Sequence, residues 1–371
     1  MSYYQKELDA LKKVNRFRER KIYDKNLIDL ASNDYLGLTS NKKLFKKTYK
    51  MVLKENSFCP KASLLVNGYS NIHKKFEKKL CKVNGFEDGI VVGSGFLANI
   101  SLIESLGRKR DLLFIDEQYH ASGMLATKLT DGDVVIFKHN DTEDLENKIK
   151  LHTKSGRIII AIEGVYSMGG DIAPKEFYNI ASRYDAILLV DEAHSSGVIG
   201  GNLLGWFDYW DIKPQSNHIK MGTLGKAYGS YGAYILASYE IISYLENRAK
   251  PIIYSTAPSI FDIALGYINL KYILKNKTNI KRKIIRNQQI VEDILDIKTD
   301  SLIVPIVICD NKRVLKMQNL LIQKGYLVGA IRQPTVKKAI IRMIIKLDIE
   351  EDKLKDICNF ILNYLDNKSN L

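Results

Sequence analysis

Cysteine is scarce in this chain. There are four in 371 residues (Cys59, Cys81, Cys309 and Cys358), far apart and without a CxxC pair. That spacing excludes a disulfide framework and a zinc site, so no metal is expected, and it suits free thiols in a reducing compartment. Long apolar runs are missing too. Nothing approaches the roughly 18 residues that a bilayer-spanning helix needs. The start, Met1-Ser-Tyr-Tyr-Gln-Lys-Glu7, lacks the apolar centre of a signal peptide. A cytoplasmic protein with no membrane partner is expected. Also absent is any block of five or six basic residues, although the net charge is +14. The lysines are scattered among isoleucine and asparagine, and the basic stretch Phe45 to Tyr49 carries no RNA-binding signature. Nucleic acid is therefore not the expected partner; the charge serves a solvated surface or draws in an anionic substrate. No internal repeat or low-complexity linker is found.

What is present is a globular composition, 46% hydrophobic and 26% charged. A chain of this length can bury a sizeable core as one large and one smaller domain. Leu8, Leu11, Val14 and Phe17 fall at helical spacing within residues 1–22, and the stretch ends on Arg16, Arg18, Arg20 and Lys21. Leu27 to Ala31 reads as a short strand running into the turn-rich Ser32-Asn-Asp-Tyr-Leu-Gly37. Strands alternate with helices from about 85 to 240, which implies a mostly parallel sheet with helices on both faces. Long helices follow over 259–296, and a second set of strands and helices begins at Leu302. The expected organisation is an N-terminal helix and segment (1–45), a large domain (46–250), and linking helices with a small α+β domain (251–371).

Two segments dominate the chemistry. Ile187-Leu-Leu-Val-Asp-Glu-Ala-His194 is an apolar run ending in Asp191, with Glu192 and His194 after it. His218-Ile-Lys-Met-Gly-Thr-Leu-Gly-Lys226 is a second strand followed by Thr223, Gly225 and Lys226. In an open α/β sheet, ligands sit outside the carboxyl ends of the strands. An acid, an imidazole, a hydroxyl and an amine delivered there fit pyridoxal 5'-phosphate. The lysine supplies an imine-forming amine, the carboxylate keeps the pyridine nitrogen protonated, and Thr223 meets the phosphate. Gly89-Ile-Val-Val-Gly-Ser-Gly-Phe-Leu-Ala-Asn99 adds a strand, a glycine turn and a helix start, where backbone N–H groups bind phosphate. The same stretch carries the rival reading. Gly93-x-Gly95-x-x-Ala98 with Asp116 about twenty residues on matches a dinucleotide fingerprint, which points to an NAD(P)-dependent oxidoreductase. That fingerprint leaves Asp191, His194, Thr223 and Lys226 unexplained.

Taken together the chain resembles the α-oxoamine synthases. The resemblance is carried by Ser32 to Leu38, Gly93 to Asn99, Tyr119-His-Ala-Ser122, Glu163 to Met168, Asp191 to His194, Gly222 to Lys226, Tyr254-Ser-Thr256 and Pro334-Thr-Val336. It implies a fold-type I pyridoxal-phosphate transferase: an α/β large domain with a mostly parallel sheet flanked by helices, plus a smaller α+β C-terminal domain. By that resemblance Lys226 is the Schiff-base lysine and the base, Asp191 pairs with the ring nitrogen, His194 meets the phenolic oxygen, and His120 stacks on the ring. Gly95, Phe96 and Thr223 hold the phosphate, Ser167 lies beside the ring, and Ser255 and Thr256 come from the neighbouring subunit of a homodimer. Asn33 and Arg342 take the substrate carboxylate, and Thr335 lines the acyl side. Of Arg16, Arg18 and Arg20, Arg18 is the one expected to meet the substrate. The implied reaction is a decarboxylative condensation of L-alanine with a pimeloyl thioester, on coenzyme A or a carrier protein, with glycine- or serine-using siblings as the alternative. The chain departs from the family at Leu64, where an arginine is expected.

Overall fold

The computed structural model describes residues 3–152 and 156–366; Met1 and Ser2, where the expected N-terminal helix and segment begin, lie outside them, as do 367–371 at the end of the expected C-terminal domain. In chain order the strands are β1 (Ile28–Leu30), β2 (Asp88–Val92), β3 (Leu112–Asp116), β4 (Asp133–Phe137), β5 (Ile158–Glu163), β6 (Ile187–Asp191), β7 (His218–Thr223), β8 (Ala233–Ala237), β9 (Ile303–Cys309), β10 (Tyr326–Ile331) and β11 (Ala339–Ile344). Contacts divide the chain into a larger unit, 36–167 with 171–281, and a smaller one, 1–35 with 168–170 and 282–371. Residues 1–35 thus group with the C-terminal segment, and the 36-residue helix Ile260–Leu295 passes from one unit into the other.

The larger unit is built on a seven-stranded sheet of order β2-β8-β7-β6-β5-β3-β4. Its central strands are buried on both faces, which is why they read as unbroken apolar runs. Leu188, Leu189 and Val190 of β6 are fully inaccessible. Burying side chains of this size stabilises the fold by roughly 1.5–3 kcal/mol each. All pairings are parallel except those of β8, which runs antiparallel to β7 and β2. Residues 224–232, between β7 and β8, are too few for the crossover of about a dozen residues that a parallel return requires. That short connection carries Lys226. It is closed by backbone bonds from Leu224 to Gly232, Ser230 to Leu224 and Gly229 to Lys226, and Gly232 turns it at φ 116°.

Helix Gly95–Leu106 lies on one face of the sheet, with Ala98, Leu102, Ile103 and Leu106 packed among Leu189, Ile219, Met221 and Ile235. Ser94 caps it by accepting the Leu97 N–H. Leu64, where the family arginine is expected, packs partly buried against the same apolar cluster. Gly68 nearby is required by close approach, since a Cβ there would meet the Ala62 carbonyl oxygen at 2.2 Å.

In the smaller unit a four-stranded sheet has the order β1-β10-β11-β9, with β1 parallel to β10 and the other pairs antiparallel. Helix Asn311–Gln323 buries Val314, Met317 and Leu321, and helix Glu351–Asp366 buries Leu354, Ile357, Cys358 and Ile361. The N-terminal helix is shorter than its periodicity suggests, Gln5–Lys13, and it buries no residue. Without a core to pack on, the apolar stripe ends where Asn15 takes a left-handed φ of 53°.

Candidate active site

The parallel strands at the large sheet's centre end on the same edge, and their last residues or the segments just after them line one cavity of about 200 Å³. Gly95, Phe96 and Asn99 come from the helix after β2, and His120 from the segment after β3. Glu163 ends β5, Asp191 ends β6 with Ala193 and His194 behind it, and Met221, Thr223 and Lys226 come from β7 and its connection. Seven of the residues expected from sequence (Gly95, Phe96, His120, Asp191, His194, Thr223 and Lys226) are thereby brought together.

Asp191 is 3% exposed. Its Oδ2 accepts from Asn99 Nδ2 and its Oδ1 from the Ala193 amide, both at 2.9 Å. Both Nδ2 hydrogens of Asn99 are thereby used, since it also donates to Ser122 Oγ at 2.9 Å, and its Oδ1 accepts from the Tyr119 hydroxyl at 2.9 Å. Ser122 in turn lies 2.7 Å from His120 Nδ1, and its amide donates to the same nitrogen. The imidazole therefore accepts at Nδ1. Burial, together with the nearby Lys226 amine, pulls its pKa below the usual histidine value, against the opposing charge of Asp191. A neutral ring fits a stacking role. Lys226 Nζ lies 2.7 Å from His194 Nε2.

These residues fit pyridoxal 5'-phosphate. The free N–H groups at the start of helix Gly95–Leu106 offer an anion cradle. A Cβ on Gly95 would stand 3.8 Å from Thr223 Cβ, so the glycine and the threonine converge on that cradle. Thr223 Oγ1 donates to the Gly232 carbonyl. The amine, the two imidazoles and the donor-held carboxylate face one cavity, beside which Glu163 Oε1 is buried without a hydrogen-bond partner among the described residues. Ser167 is buried beside this set, its amide donating to Glu163 Oε2 at 3.2 Å, but it does not line the cavity. Ser255 and Thr256 do not line it either; Thr256 forms an antiparallel bridge with Ser63.

The dinucleotide reading fails on this geometry. Asp116 is fully buried, and its oxygens accept from the Gln118 and Asn140 amides and the Tyr166 hydroxyl while pairing with His139. No oxygen is left for a ribose, and β2 lies at the edge of the sheet.

The remaining expected residues pair within the smaller unit. Arg342, 6% exposed on β11, donates to Asn33 Oδ1 at 3.0 Å. Arg18 donates to Thr335 Oγ1 at 3.4 Å. Arg332, not foreseen, donates to the carbonyls of Asn15 and Phe17, and burial together with Arg18 beside it lowers its pKa. Asn99, Glu163 and Met221 were also missed. Glu163 carried a usable signal, since it closes an apolar run as Asp191 does; Asn99, a lone amide inside a helix, carried none.

The chain matches the aminotransferase class I and II family over residues 25–361. It is 43% identical over 362 residues to the 8-amino-7-oxononanoate synthase of Helicobacter pylori strain 26695, covering 97% of each chain. Against a putative 8-amino-7-oxononanoate synthase of Aquifex aeolicus it is 36% identical over 375 residues, covering 99% of this chain and 98% of the other. Among solved structures it resembles 8-amino-7-oxononanoate synthase from Francisella tularensis, with 26% identity, TM-score 0.78, and 92% and 99% of the two chains covered. A structure of SPT with PLP internal aldimine superimposes at TM-score 0.89 and 22% identity over 98% of each chain, a likeness of fold.

Proposed function

The chain belongs to the aminotransferase class I and II family, among the 8-amino-7-oxononanoate synthases, and on that premise we propose that it condenses L-alanine with a pimeloyl thioester. The C–C bond forms between alanine Cα and the thioester carbonyl carbon, the thiol carrier leaves, and the alanine carboxylate departs as carbon dioxide. The product is 8-amino-7-oxononanoate, a precursor in biotin synthesis. The observation that carries this reading is the convergence of Lys226, His194, His120 and Asp191 on one cavity.

When bound, pyridoxal 5'-phosphate supplies an aldehyde for imine formation and a ring that takes up the electron pair of a carbanion. Lys226 is the amine that holds it, and the same Nζ removes the proton from alanine Cα; His194, 2.7 Å away, orients that amine. Asp191, fixed by Asn99 and the Ala193 amide, presents its charge to the pyridine nitrogen. His120, which lines the cavity, would cover the ring face, and Ser167, behind the cavity wall, would act through Glu163, whose Oε2 accepts its amide. The Gly95 and Phe96 amides and Thr223 take the phosphate, joined by Ser255 and Thr256 of a second copy in a homodimer. Asn33 and Arg342 hold the alanine carboxylate, for which a planar guanidinium is suited. Arg18 and Thr335 meet the acyl chain. The compartment is the cytoplasm. Among the described residues no helix is long and apolar enough to cross a membrane.

The test supplies the pyridoxal-phosphate-loaded protein with pimeloyl-coenzyme A or pimeloyl-carrier protein and alanine, glycine or serine in turn. Carbon dioxide release and 8-amino-7-oxononanoate should appear with alanine and vanish in Lys226→Ala. Turnover with glycine in preference to alanine would refute the assignment.

A further inference from the structure

Asp191 has a neighbour of its own kind that the chemistry above leaves idle. Glu163, the last residue of β5, is paired in register with Asp191 on β6. Paired positions on parallel strands send their side chains to the same face, so two carboxyls stand side by side at the cavity. Glu163 is 2% exposed. The two are unequally provided for. Asp191 receives two N–H donors at 2.9 Å. Glu163 Oε2 receives the Ser167 amide at 3.2 Å, whereas Oε1 is buried and meets no donor among the described residues.

Two buried carboxyls in contact range do not both ionise readily, and the proton goes to the one with fewer donors. On Oε1 a proton removes an unpaired buried charge and turns a bare acceptor into a donor. Burial, then Asp191, push the Glu163 carboxyl well above the usual carboxylate range, against the pull of Lys226 and the backbone amides of Ser167 and His120. The titratable groups facing it come from every packed element. These are Asp191 and His194 at the end of β6, Tyr119 and His120 after β3, Lys226 after β7, and Tyr166 in its own loop.

We propose that Glu163 is a positioning residue that stays neutral and offers a hydrogen-bond donor in the cavity, leaving Asp191 as the one negative charge available to the pyridine nitrogen, which rests on taking the cavity as the pyridoxal phosphate site. Through Oε2 it also holds the segment that carries Ser167. A second negative charge at this end of the ring would hold protons on nearby groups more tightly and blur the match of one carboxylate to one ring nitrogen.

Glu163→Gln is the discriminating variant, because an amide keeps one acceptor and one donor and is neutral at every pH. In the cofactor-free protein at neutral pH, the infrared difference between wild type and E163Q should show the carbonyl stretch of a protonated carboxyl group. In the loaded protein, an alkaline change in the cofactor's absorption spectrum should be present in wild type and absent in E163Q. A carboxyl that keeps its proton when folded but releases it when unfolded makes stability fall as pH rises above the unfolded value of about 4.3. The melting temperature of wild type should therefore drop relative to E163Q between mildly acidic and alkaline pH. Should E163Q not fold, a pH-difference infrared spectrum of the unaltered protein reads the same proton. Absence of the carboxylic-acid band at neutral pH, or a melting difference that does not change with pH, overturns the proposal. If the cofactor leaves no absorption in either protein, the reading of the site fails, and the infrared band still decides the protonation of Glu163.

Discussion

His139 makes the pH dependence of this fold calculable. It follows β4, and its ring nitrogens lie 3.1 Å from Asp116 Oδ1 and 2.9 Å from Asp171 Oδ2. With an acceptor at each nitrogen, both must carry a proton. Burial works against that charge, but the hydrogen bonds to the two carboxylates outweigh it and raise the pKa from 6.5 to about 9. A raised histidine value means the imidazolium is bound more tightly in the folded state. The stabilisation is thus fully present below about pH 6.5 and is lost as pH climbs through about 9. At about 1.4 kcal/mol per unit, the ceiling is about 3 kcal/mol. Solvent reaches part of the site, since the Asp171 side chain is 38% exposed, which reduces the figure to about 1–2 kcal/mol. The perturbation is His139→Gln, which keeps a hydrogen bond and removes the charge; the assay is urea-induced unfolding across a pH series. The wild-type advantage should be about 1–2 kcal/mol at pH 6 and shrink towards zero by about pH 10. A constant advantage at every pH would mean a neutral ring and refute the reasoning.

Other substitutions test other parts of the same unit. Asn99→Leu leaves the buried Tyr119 hydroxyl, Ser122 and Asp191 each short of a partner and should cost about 2–4 kcal/mol; a melting temperature unchanged from wild type would contradict this. Lys220, 1% exposed, sits 3.4 Å from Glu192 Oε1, and Lys220→Met should destabilise by about 3 kcal/mol because it removes the cation beside a buried carboxylate, which keeps only its bonds from Ser195, Trp206 and Phe207; an unchanged urea midpoint would contradict this. Arg18→Gln, if Arg18 meets the acyl substrate, should raise KM for the pimeloyl thioester about tenfold with kcat nearly unchanged; a fall in kcat alone would place Arg18 elsewhere.

The residues legible in the sequence share one property: they follow directly on apolar strands. Asp191 closes Ile187 to Val190, and Lys226 lies three residues past the end of β7, so strand polarity alone placed both at the same edge. His120 and Thr223 were found the same way. Asn99 was not, because an amide in the first turns of a helix is indistinguishable in one sequence from a solvated one. It became visible only once Tyr119, Ser122 and Asp191 closed around it. Arg332 was hidden for a different reason: its partners are the backbone carbonyls of Asn15 and Phe17, more than three hundred positions away in the chain. Periodicity misled at the N-terminus, where an apolar stripe predicts a helix over residues 1–22, but the helix Gln5–Lys13 buries no residue and the chain turns at Asn15.

Connection length explains why so much of the site could be read at all. Between β6 and β7, the 26 residues 192–217 leave room for a crossover, so both strands deliver their ends to the same edge in parallel. Between β7 and β8 only nine residues intervene, so the chain must turn back at that edge. A lysine in that turn has no route away from the residues that end β5 and β6. The amine and the carboxylate are therefore brought together by topology before any side-chain packing is considered. Glu163 follows from the same rule. β5 ends in register with Asp191, so its last residue, Glu163, stands beside that carboxylate, and two buried acids so placed disfavour each other's charge.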